Sequence, residues 1–216
     1  MVNELELAVG DIAVYAGHGV ARVVVRASRD VHGELREFVV FECAHGLSIT
    51  LPLERARSTL RPVVTEADIR DVRDALRAQH STSPDSWQRR LKATRAKIAG
   101  GKAVELAEIV RDGDLRVHWL KDRGSIGGLS TNERQLYRKA RQLLADELGV
   151  SRGLEHAEAE AWIDAQLAQA RAETEFTHPT APRGSQRDQA WATLPPRSSV
   201  AAMVGLRSED THKPGA

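Results

Sequence analysis

A chain of 216 residues has room for one ordinary domain or two small ones, and its 31 basic against 30 acidic residues leave a formal net charge of +1. That balance excludes a uniformly basic coat for nucleic acid, yet it permits a local basic face if acids are segregated elsewhere. Cys43 is the only cysteine, which excludes a disulfide within the chain and a Cys-rich zinc site. Inside the run Phe38-Val39-Val40-Phe41-Glu42-Cys43-Ala44 it reads as a small buried hydrophobe. The opening residues lack a basic stretch followed by an apolar one, and no run approaches the ~20 apolar residues that span a bilayer. A cytoplasmic protein is expected.

In chain order, the first sixty or so residues read as strands. Ile12 to Tyr15, Val20 to Arg26, Phe38 to Ala44 and Ser48 to Leu51 are short β-branched or aromatic runs. Turn signals separate them at Gly17-His18-Gly19, Asp30-Val31-His32-Gly33 and His45-Gly46. A segment this short buries its hairpins only by curling the sheet into a small barrel. Pro52 and Pro62 punctuate the exit.

After Pro62 the period becomes helical. Thr65-Glu66-Ala67-Asp68 supplies a cap and two acids, and Ile69, Val72 and Leu76 follow at helical spacing. Ser83-Pro84-Asp85 marks a second start, with Ser as N-cap, Pro in the first turn and Asp against the dipole. Gly100-Gly101 ends that helix, and the next is predicted from Lys102 to about Asp112, before Gly113. Leu129-Ser130-Thr131-Asn132-Glu133 supplies a capping box for a helix reaching Leu148-Gly149, and a last helix covers Leu154 to about Glu175. Scattered prolines beyond Phe176 predict a disordered or loosely attached tail. The expected class is α+β, with a β module over residues 1–64, a helical module over 65–175 and a tail over 176–216.

The chemistry concentrates between Trp87 and Lys102. Arg89, Arg90, Lys92, Arg95, Lys97 and Lys102 occur there with no acid among them. Trp87, Leu91 and Ile98 fall within about 40° of one another on a helix, while Arg89, Lys92 and Arg95 point elsewhere. Unrelieved positive charge suits a phosphate backbone; the plainer alternative is a solvated basic face. Trp87 itself has two readings, a core anchor in line with Leu91 and Ile98, or an exposed wedge beside a backbone clamp. Arg134, Arg138 and Arg141 make a second stripe opposite Leu136, Ala140, Leu143 and Leu144. No two histidines stand at i,i+4, and Gly124-Ser125-Ile126-Gly127-Gly128 lacks the strand and the Lys-Ser/Thr of a phosphate loop. Neither an enzyme nor a cofactor or metal site is expected.

These residues also carry a resemblance. Val9-Gly10-Asp11-Ile12-Ala13-Val14-Tyr15, then Gly17-His18-Gly19-Val20-Ala21, resembles the opening of the polymerase-interaction domain of the CarD/CdnL/TRCF family. Ser83-Pro84-Asp85-Ser86-Trp87-Gln88-Arg89-Arg90-Leu91-Lys92, then Ala107-Glu108-Ile109-Val110-Arg111-Asp112, resembles the helical DNA-binding part of CarD. Leu129 to Arg134 and Lys139-Ala140-Arg141-Gln142-Leu143-Leu144 continue it. The match runs from roughly Leu5 to Leu167 in family order. TRCF relatives share only the first domain, so the second half selects the CarD/CdnL branch.

The resemblance implies a Tudor-like β barrel that binds the RNA polymerase β subunit, and a helical domain at the upstream edge of the transcription bubble. It implies that Trp87 wedges into the minor groove and that Arg89, Lys92 and Arg134 contact DNA; Arg90 and Arg138, read from the two basic segments, complete the candidate DNA-binding set. Arg29 matches a polymerase-facing basic residue; Val31 beside it and the strand around Thr50 to Pro52 form the rest of that contact. Thr50 stands where some members have a polymerase-contacting arginine, and the segment from Gly113 to Gly128 is longer than the family pattern. The expected function is a monomeric, nucleoid-associated transcription regulator that stabilises the open promoter complex. The alternative is a non-catalytic adaptor whose β module binds another protein.

Overall fold

The computed structural model describes residues 5–79, 86–124 and 128–177. The expected helix start at Ser83-Pro84-Asp85, the middle of the glycine-rich stretch at 125–127, and the tail from residue 178 onward, Trp191 included, lie outside them.

An antiparallel sheet comes first and helices follow, which is the α+β order expected. β1 (Ile12–Tyr15), β2 (Gly19–Val31), β3 (Glu34–Cys43) and β4 (Leu47–Pro52) lead into α1 (Leu53–Thr59) and the two-residue β5 (Leu60–Arg61). The strand order is β4-β3-β2-β1-β5. β2 and β3 run past their expected limits because residues 27–37 form a solvated arm with no apolar face to advertise it. The arm is held by Arg26–Glu37 at 3.0 Å. It closes with positive φ at His32 and Gly33, as a two-residue type I′ turn requires. A register shift between Val23 and Val25 adds twist to β2. Between the sheet's last strands, α1 packs on β3, β4 and β5 and buries Leu53 and Ala56 against Leu7, Val23, Val39 and Phe41. The small enclosed core expected of the β module is therefore completed by a helix that the prolines at 52 and 62 concealed. Cys43 belongs to this core, and burial pushes its thiol pKa up, away from nucleophilic use.

Among the described residues, five helices form the second layer: α2 (Glu66–Arg77), α3 (Trp87–Gly100), α4 (Ala103–Asp122), α5 (Thr131–Arg152) and α6 (His156–Thr177). Thr65 and Ser130 cap α2 and α5 with reciprocal capping boxes through Asp68 and Glu133. α4 does not end before Gly113. A Cβ at that position would collide with the Tyr137 ring on α5, so the glycine lets two helices approach instead of stopping one. α5 likewise passes Gly149 and stops at Gly153, which adopts the left-handed conformation. Leu154 donates its N–H to Gly149 O at 2.9 Å, so it completes that stop, and α6 begins two residues later than expected. Ile69, Val72, Leu76, Val110, Leu144, Leu148 and Ile163 form a second apolar core, separate from that of the sheet.

A buried ion pair helps tie the two layers. Arg61, on β5, donates from Nη1 to Glu147 Oε1 at 2.5 Å and from Nη2 to Glu147 Oε2 at 2.7 Å. Its Nε and Nη2 also donate to Gly101 O, the left-handed residue that ends α3. Glu147 is 1% exposed and accepts a further bond from Val64 N–H at 3.1 Å. Gly101 sits so close to the β1–β2 turn that a Cβ there would lie 2.7 Å from Ala16 Cα. Removing the guanidinium would leave a buried carboxylate short of its partner. Arg61→Ala is expected to lower unfolding stability by about 3 kcal/mol, whereas an exposed pair would cost under about 1 kcal/mol. A urea-unfolding midpoint that fails to move would contradict this role.

Candidate nucleic-acid interface

The N-terminal ends of α3 and α5 meet, and the meeting point is a single hydroxyl. Ser130 Oγ accepts from Glu133 N–H at 3.4 Å and from Trp87 Nε1–H at 3.3 Å, and donates to Glu133 Oε2 at 2.7 Å. One donor and two acceptors are the full capacity of a hydroxyl, so the cap of α5 also orients the indole of α3. Trp87 is 40% exposed, while Leu91 and Ile98, in line with it on the helix, are 8% and 5% exposed. The apolar seam is thus core at Leu91 and Ile98 and surface at Trp87.

The basic residues divide into two groups. Glu133 Oε1 lies 3.6 Å from Arg90 Nη2 and 3.4 Å from Arg116 Nε. Lys97 pairs with Glu108 at 2.7 Å and Lys102 with Glu105 at 3.3 Å. The acids missing from the segment between Trp87 and Lys102 are therefore supplied by α4 and α5. Arg89, Lys92 and Arg95 remain exposed, with no acidic partner among the described residues. On α5, Arg134 bonds back to Leu129 O at 3.1 Å, and both Arg134 and Arg138 are exposed. Arg141 departs from the solvent-facing stripe expected of it. Only 15% of its side chain is exposed, and it pairs with Glu160 at 3.0 Å and Asp164 at 2.8 Å on α6. These partners outweigh desolvation and hold its pKa above the ordinary arginine value. Arg141 fastens α5 to α6.

The sheet places its expected contact residues together as well. Val39, Phe41 and Cys43 of β3 point into the core, so Phe38 and Val40 point away from it. Pairing sets Pro52 opposite Phe38, Thr50 opposite Val40, Arg29 opposite Arg36 and Val31 opposite Glu34. Arg29, Val31, Thr50 and Pro52 consequently share the outer face. The Arg29 guanidinium lies 5.8 Å from the centroid of the Phe38 ring, which links β2 to the β3–β4 edge. Phe38 and Val40, and the half-exposed Val25 beside them, lie on that same outer face; nothing in the sequence signals this, because they read simply as strand interior. Ser130 and Glu133 were read as a cap alone, since their reach to Trp87 and Arg90 is visible only in three dimensions.

Among the described residues, no three His, Cys, Asp or Glu side chains converge as a metal site would require, and no helix is long and apolar enough to cross a membrane.

The chain thus joins an antiparallel β module to a helical module with a basic, aromatic helix end. Residues 7–64 match the CarD-like/TRCF RID domain, and residues 71–164 match the CarD C-terminal domain. The chain belongs to the CarD/CdnL family, a family of transcription-associated, RNA polymerase-interacting regulators of non-catalytic type.

Replacing Ser130 removes a cap and an indole acceptor together. Ser130→Ala is expected to lower stability by about 1 kcal/mol. It is also expected to speed solvent exchange of the Trp87 indole proton, followed by NMR and assigned through Trp87→Phe. Unchanged indole exchange would separate the cap from the tryptophan.

Proposed function

We propose that this protein tethers itself to the RNA polymerase β subunit through the outer face of its sheet and holds promoter DNA at the upstream edge of the bubble, stabilising the open promoter complex. The observation that carries this reading is the exposed Trp87, pinned by Ser130 between the basic ends of α3 and α5. Arg89, Lys92, Arg134 and Arg138 take phosphates, and Arg90 reaches the same track from within its pair with Glu133. The capped N-terminus of α5 adds its dipole to that attraction. With phosphates fixing the register, the indole meets a distorted base step. The tether raises the local concentration of this wedge at the promoter.

Because the wedge fits opened or bent DNA better than closed duplex, it shifts the equilibrium toward open. A difference of ~1.4 kcal/mol changes that ratio tenfold, and one stacked aromatic supplies ~1–3 kcal/mol. The polymerase-interacting module spans residues 1–64 and the DNA-binding module residues 65–175. The protein acts without catalysis or cofactor, as a cytoplasmic, nucleoid-associated monomer.

One observation favours the second reading, a protein-interaction adaptor: Arg90 and Lys97 are already neutralised within the protein. Salt separates the two. Binding through several phosphates falls steeply between low and moderate salt, whereas an adaptor shows little DNA binding at any salt. On a promoter with polymerase bound, Trp87→Ala is expected to shorten the open-complex lifetime about tenfold while retaining salt-dependent DNA affinity. An unchanged lifetime would contradict the wedge.

A further inference from the structure

α4 ends in an aromatic and basic turn that the wedge does not use. Trp119 is 38% exposed, and the Arg123 guanidinium carbon lies 4.1 Å from its ring centroid. Lys121 and Arg123 are exposed, with no acidic partner among the described residues. The antiparallel pairing of α4 with α5 fixes where this turn lies. Gly113 stands against Tyr137 and Arg116 against Glu133, so continuing one turn brings Trp119 level with Ser130, the residue that holds Trp87. Around the helix, Asp112, Arg116 and Trp119 lie within about 60° of one another at 100° per residue. The Arg116 position faces the Glu133 carboxylate that also binds Arg90 of α3. Trp119 therefore sits on the side of α4 that is turned toward α3, the helix that carries Trp87.

We propose that Trp119 and Arg123 form a second nucleic-acid contact, a brace on the sugar–phosphate backbone of the duplex that flanks the step held by Trp87. This rests on the DNA-binding reading above and extends it to a surface that reading leaves empty. The chemistry favours a backbone contact over a second wedge. A wedge between bases needs both ring faces bare, and one face of Trp119 is covered by Arg123. The stack instead holds the guanidinium out from the helix end, where its remaining N–H groups meet a phosphate while the free indole face packs on a sugar. Lys121 adds charge of the same sign beside it.

The test uses the full chain and two forked duplexes that differ only in the length of the double-stranded arm on the α4 side, each titrated over a range of salt. Trp119→Ala/Arg123→Gln is expected to bind the long arm about tenfold more weakly, with the salt slope reduced by about 1, and to match the unsubstituted protein on the short arm. Arg123→Lys, which keeps the charge and loses the planar stack, is expected to retain the slope. Unchanged affinity of the double variant on the long arm, while the unsubstituted protein binds both arms with a steep salt slope, would overturn the brace and leave the DNA-binding reading intact. Equal losses on both arms would overturn it as a structural effect. Failure of the unsubstituted protein to bind either duplex at low salt would overturn both readings together. A defect seen only with polymerase present would assign Trp119 to a protein contact instead.

Discussion

The arrangement of the molecule depends on one guanidinium. Arg61 leaves the last strand of the sheet, spans the carboxylate of Glu147 on α5, and shares the carbonyl of Gly101 at the end of α3. A planar fork suits this task, since it fixes direction as well as distance to a carboxylate. Ser151 Oγ adds a bond to Val64 O at 2.6 Å, so the chain segment leaving the sheet is fastened to α5 on both sides of Pro62. α5 also packs on β2, with Leu143 against Gly19, so the fork fixes the direction of a seam that packing already closes. With the fork in place, the outer face of the sheet and the joined ends of α3 and α5 keep a set spacing. That spacing is what a tether needs if it is to deliver a wedge to one step of a promoter.

A second constraint is the internal use of charge. A near-neutral chain forms a basic face by neutralising selected cations and leaving others. Glu133, Glu108, Glu160 and Asp164 draw in Arg90, Lys97 and Arg141, which thereby join helices to one another. Arg89, Lys92 and Arg95 are left outward on α3. The same carboxylate, Glu133, completes a cap, orients Ser130 and anchors two arginines, so the local fold and the presentation of Trp87 share one network.

Much of this was legible in the sequence. The cap at Thr65 and the capping box at Ser130 stand where the sequence announced them, because a cap is a local interaction with a fixed spacing. The change of period after Pro62 marked the switch from sheet to helices for the same reason. What the sequence concealed was set by neighbours distant along the chain. Gly113 read as a stop and proved to be a contact with Tyr137; Leu154 read as helix and proved to be a cap; Arg141 read as surface and proved to be a clamp on α6. The fork at Arg61 had no local signal, since its partners lie 40 and 86 residues away.

The central claim is that the sheet face and the helix-end tryptophan act in series on one promoter. It is tested most directly by open-complex lifetimes with polymerase for Arg29→Glu, Trp87→Ala and the two combined. If the tether serves only to deliver the wedge, each single change shortens the lifetime and the combination falls no further than the worse of the two. Losses that add, or a normal lifetime with Arg29→Glu, would contradict the account.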